Sequence, residues 1–106
     1  MSEYVYDVML KTQVGIKNGI MRLCIERGKI NGYLDILQHS EPFKGKISLT
    51  GDCTLQGGFK TLMRFVKYTA TGNINKNSLR LVLQSANEQF EMIGTAQNTG
   101  GTATDE

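Results

Sequence analysis

The sequence predicts an all-β fold, an eight-stranded antiparallel up-and-down (meander) barrel. Three observations predict it. Apolar and polar residues alternate in eight short runs, turn residues separate the runs, and no connection is long enough for a crossover helix. A meander with one apolar face closes on itself, which removes both exposed edges.

The first run places Tyr4, Tyr6, Val8 and Leu10 on one face, the second Met21, Leu23 and Ile25, and the third Ile30, Gly32, Leu34 and Ile36. Phe43, Gly45, Ile47 and Leu49 form the fourth inward face, and Cys53, Leu55, Gly57 and Phe59 the fifth. Val66, Tyr68, Ala70 and Gly72 follow, then Leu79, Leu81 and Leu83, then Phe90, Met92, Gly94 and Ala96. The turns support the assignment. With Arg27-Gly28 as a two-residue loop, Glu26 opposes Lys29 outside and Ile25 opposes Ile30 inside. A three-residue loop, Thr50-Gly51-Asp52, sets Leu49 opposite Cys53.

The stretch 57–68, GGFKTLMRFVKY, competes with this reading, because Phe59, Leu62, Met63 and Val66 also follow helical spacing. A helix there would have at most about two turns between Gly57-Gly58 and a β-rich segment, and so short a helix is marginal. Lys11-Thr12 ends the first run after inward Leu10, and Lys60-Thr61 ends the fifth after inward Phe59. That parallel indicates a weak four-strand duplication, roughly 4–49 and 53–97, and favours a hairpin with Leu62, Met63 and Arg64 at its tip. The segments LKTQVGIKNGIMRLCIERGKINGYL, FKTLMRFVKYTATGNI and FEMIGTA resemble small, uncharacterised bacterial calycin-like barrels with repeated Lys-Thr-x-Met-Gly turns. The similarity runs to about Gln97, with Val14-Gly15 and Met63-Arg64 departing from the turn motif. The resemblance implies the barrel fold and, as in lipocalins and avidins, a small apolar ligand inside; it brings no catalytic residues.

A chain of 106 residues with 40% hydrophobic and 21% charged residues fits one globular domain, here 1–97, followed by a small, polar tail (98–106) expected to be disordered. Twelve basic and ten acidic residues are dispersed without a block, which argues against a nucleic-acid partner. No leader and no apolar run of the roughly 18 residues a span requires can be read, so no membrane partner is expected. Cys24 and Cys53 fall on opposite strand faces, which disfavours a disulfide and suits the cytoplasm.

Connections 13–18, 39–42, 62–64 and 85–88 share one rim, bringing Lys17, His39, Glu41, Arg64 and Glu88 to one mouth. The expected ligand residues are Tyr6, Phe59, Tyr68 and Phe90 inside, with His39 and Arg64 near the mouth. The inward glycines Gly32, Gly45, Gly57, Gly72 and Gly94 leave either space for a ligand or room for tight packing and curvature. A lone histidine is no metal site, and no triad, carboxylate pair or phosphate loop is present, so no enzyme, catalytic residue, metal or cofactor is expected. Outside, Val5, Met9, Ile20 and Cys24 join Tyr33, Leu37, Val82 and Ile93 in an apolar patch suited to a homodimer interface. The primary expectation is a non-enzymatic barrel binding an apolar or amphipathic small molecule. The alternative is a filled structural or protein-interaction barrel acting through homodimerisation.

Overall fold

The computed structural model describes residues 2–97, Ser2 by its backbone alone; the tail expected from Asn98 lies outside the described residues. Eight strands follow in order: β1 (Ser2–Thr12), β2 (Gly15–Glu26), β3 (Lys29–Ile36), β4 (His39–Ile47), β5 (Asp52–Lys60), β6 (Phe65–Ile74), β7 (Ser78–Gln84) and β8 (Gln89–Ala96). Each pairs antiparallel with its neighbours in sequence, and β8 pairs with β1 from Tyr6↔Ala96 to Lys11↔Glu91, closing the barrel. The stretch 57–68 is a hairpin, with Gly57↔Tyr68 and Lys60↔Phe65 in register. Its helical spacing follows from two inward faces, Phe59 and Val66, separated by a four-residue tip.

The period-2 faces set the core. Tyr6, Leu10, Leu34, Leu55, Ala70 and Met92 are fully buried, and Arg27-Gly28 forms the expected two-residue turn, with both residues at positive φ. Three connections differ from expectation. Leu49 is fully exposed, and Ile47, not Leu49, pairs with Cys53. The three-residue loop is Leu49-Thr50-Gly51, one residue earlier than expected, because Gly51 (φ 92°) takes the last loop position. Ser48 N–H donates to the Asp52 carbonyl at 2.8 Å and Gly51 N–H to the Ser48 carbonyl at 3.0 Å. The first turn is only Gln13-Val14, so 15–18 is strand, not loop. The β3–β4 turn is Leu37-Gln38, and His39 begins β4 opposite Ile36.

Inward glycines close the barrel instead of hollowing it. A Cβ on Gly32 would stand 1.9 Å from the Arg22 carbonyl oxygen, and one on Gly45 1.9 Å from that of Thr54. At Gly72 the Arg80 carbonyl oxygen would be 2.0 Å away. Neighbouring strands cross closely at these points, which is how an eight-stranded sheet coils tightly. Gly57 lies under Phe43 and the Tyr68 hydroxyl, and Gly94 under Leu79 and Val8, so side chains fill both spaces.

Pairing thins towards one end. The β4–β5 ladder stops at Phe43↔Gly57 and the β6–β7 ladder at Thr69↔Gln84. The β5–β6 hairpin therefore continues past both neighbours as a ribbon paired only within itself, and this end carries the candidate site.

Candidate functional site at the hairpin end

Four hairpin tips, 13–14, 37–38, 61–64 and 85–88, share one rim of the barrel. Hydroxyls shape three of them. Thr12 Oγ1 accepts from Val14 N–H at 3.2 Å and donates to the Gly15 carbonyl at 2.7 Å. Thr61 Oγ1 accepts from Met63 and Arg64 N–H at 3.2 and 3.1 Å and donates to the Arg64 carbonyl at 3.0 Å. Ser85 does the same with Glu88 at 3.1 Å in both directions. A side-chain oxygen satisfies the turn's backbone at each tip, and the first tip is also closed by Gly15 at φ 124°. Because Ser85 shares the arrangement, it is not peculiar to the Lys-Thr pairs.

Between the tips a cavity of about 620 Å³ opens to solvent. Its floor is apolar: Phe59, Val66 and Phe90 are buried core residues that also line it. Phe59 meets Phe90 edge-on at a centroid distance of 5.6 Å, which fixes both rings. Thr12, Lys17, His39, Thr61, Arg64 and Glu88 form a polar rim, and Val14, Leu37, Leu62 and Met63 an apolar lip. Arg64 Nη2 bonds Glu88 Oε1 and ties the β5–β6 tip to the β7–β8 tip. Lys17 makes no ion pair among the described residues. The volume is that of a small-molecule site, with an apolar base and a few convergent polar groups.

Of the six expected ligand residues, His39, Phe59, Arg64 and Phe90 line this cavity. Tyr6 does not. It is fully buried towards the opposite end, where its hydroxyl donates to the Asn75 carbonyl at 2.5 Å. Tyr68 packs under Phe59 at 6.2 Å between centroids without reaching the cavity, and its buried hydroxyl has no hydrogen-bond partner among the described residues. Burial pushes the Tyr6 phenol up to about 12, with Tyr4 adding to the effect, and raises that of Tyr68 further. Lys17 and Glu88 reach the cavity as expected, whereas Glu41 does not line it. Alternation could not find Leu37, Leu62 and Met63 there, because they lie in turns. The available signal was the presence of large apolar residues where turn chemistry favours Gly, Asn and Asp.

The outer wall departs from the expected continuous patch. Met9 pairs with Ile93, but Val5 pairs with Arg22, Ile20 with Asp7 and Asp35, Cys24 with Glu3 and Asn31, and Val82 with Glu91. Tyr33 lies between Arg22 and Pro42, and an Arg22–Asp35 ion pair at 3.6 Å crosses the region. Leu37 leaves the wall altogether, because its turn aims it at the core and the cavity. The result is a chequerboard of apolar and charged side chains. No cluster of three or more His, Cys, Asp or Glu that could hold a metal ion occurs among the described residues, and no helix there is long and apolar enough to cross a membrane. Comparison with protein-family models finds none that matches this chain, and comparison with curated proteins finds no significant match.

Proposed function

We propose that this chain is a non-enzymatic, calycin-like binding barrel for a small amphipathic molecule carried at the hairpin end. The observation that supports the reading is the cavity of about 620 Å³ with an aromatic floor and a polar rim. The apolar part of the ligand rests on Phe59, Val66 and Phe90. Lys17 and Arg64 favour an anionic head group, which would share Arg64 with Glu88 or engage Lys17 directly. His39 adds a donor at the same rim. The free thiols of Cys24 and Cys53 fit a cytoplasmic setting.

Native mass spectrometry of the freshly purified protein, followed by a denatured run, tests for a co-purified small molecule. Calorimetric titration with dodecanoate and dodecanol then tests the head-group preference. Dodecanoate is expected to bind more tightly, and Arg64→Ala to weaken it about tenfold while leaving dodecanol unchanged. A bare native mass together with no heat from either titrant would overturn the reading.

A further inference from the structure

We infer that the hairpin end docks on an anionic lipid surface, with the apolar side chains of two opposed hairpin tips entering the headgroup layer. The inference stands on the tips and their charges, whether or not the cavity holds a ligand. Val14 is 83% exposed, Leu62 103% and Met63 89%, followed by Ile16 at 56% and Phe65 at 47%. Val14 and Ile16 belong to the β1–β2 hairpin and Leu62, Met63 and Phe65 to the β5–β6 hairpin, and the two hairpins face each other across a ring of eight strands. Elsewhere, Leu49 stands alone in the β4–β5 turn at the opposite end at 108%, and on the wall Tyr33, Met9 and Val82 are 54%, 42% and 37% exposed. Aliphatic residues at turn tips have neither a turn-forming nor a packing role, so their concentration at one end calls for a partner.

Charge selects the partner. Lys17 lies beside the first tip, and Lys60 and Lys67 flank the second. None of the three makes an ion pair among the described residues, and neither does Glu41 near the start of β4, whereas Glu88 and Glu91 at the same end are engaged by Arg64 and Lys11, so unpaired lysines outnumber unpaired acids there. A second copy meeting mouth to mouth would bring these lysines together. A folded protein partner would need to reach two tips separated by an open cavity. A lipid surface conforms to both tips at once, accepts isolated aliphatics, and attracts lysines within a Debye length. The absence of long apolar runs does not bear on this, because contact is made by side chains at turns and not by a span.

Vesicle co-sedimentation of the full chain tests the inference, using phosphatidylcholine vesicles with and without about 30 mol % phosphatidylglycerol. Binding is expected to the anionic vesicles and to fall as salt is raised from about 0.1 to about 0.5 M. The double variant Leu62→Ser/Met63→Ser should lose at least about tenfold in partitioning. Lys17→Gln/Lys60→Gln should lose the preference for anionic lipid, and Val82→Ser on the wall should bind as the parent does. Circular dichroism checks that each variant is folded, which the exposure of these positions favours. No binding to anionic vesicles at low salt, or equal binding by the parent and the tip variant, overturns the inference. So does sedimentation showing a lipid-free dimer that the tip variant converts to monomer, because the tips would then serve a second copy.

Discussion

Tyr6 and Tyr68 carry the same side chain into one core and differ in what the hydroxyl meets. The Tyr6 hydroxyl holds the Asn75 carbonyl, so Tyr6→Phe should cost about 1 kcal/mol. The Tyr68 hydroxyl is buried without a partner among the described residues, so Tyr68→Phe should be neutral or stabilising by up to about 1 kcal/mol. Urea denaturation of the two variants compares them directly. The same burial gives a pH dependence. Desolvation, with Asp52 adding to it, raises the Cys53 thiol from 9.0 to about 11, and the Tyr6 phenol rises from 10.0 to about 12. Each group keeps its proton in the folded chain at pH values where the unfolded chain has lost it. Their contribution is therefore complete below pH 9 and is lost as pH rises through about 11 and 12. The urea midpoint is expected to stay flat in this respect up to pH 9 and then fall, less steeply in Cys53→Ala. Gly45→Ala should cost about 3 kcal/mol, because the added methyl meets a neighbouring carbonyl, not a movable side chain. Gln38, exposed at φ 69°, bears the opposite strain, and Gln38→Gly should raise the melting temperature by about 2–4 °C.

At the scale of elements, the β5–β6 hairpin shows what pattern reading could see. Inward Phe59 and Val66 and the Thr61 turn are legible from alternation and from the parallel with Thr12. That the ribbon outruns its neighbours is not, because ladder length depends on where β4 and β7 stop. Hydrogen exchange should register the difference: amides of the paired residues from Gly58 to Val66 should exchange at least about tenfold faster than those from Thr54 to Gly57. Equal protection would show that the ribbon is held by something beyond its own ladder. The Leu49 error has a similar origin. A loop moved by one residue shifts the pairing by two positions, and a period of two cannot register a shift of two.

For the whole molecule, the two ends of one barrel differ in content. Tyr6 and its neighbours fill one end, while Phe59, Val66 and Phe90 floor an open cavity at the other. If that cavity binds an amphipathic carboxylate, Phe90→Ala should weaken dodecanoate and dodecanol alike, by about tenfold, whereas Arg64→Ala affects the carboxylate alone. Titration of both variants separates floor from rim, and equal effects of Arg64→Ala on the two probes would remove it from head-group recognition.

Alternation and turn chemistry by themselves determined the strand count, the meander order, the inward faces except at Leu49, and the rim that gathers His39, Arg64, Lys17 and Glu88, though not Glu41. These are local properties, set by the side-chain period of a strand and the reach of a short turn. Only the tertiary structure decided that the inward glycines admit neighbouring backbone and not a ligand, that Tyr6 belongs to the filled end, and that the wall is a chequerboard. It also decided that Leu37, Leu62 and Met63 meet around one cavity. The physical reason is that these facts depend on stagger between strands. Stagger follows from how eight twisted strands close on one another, and no single strand's sequence encodes it.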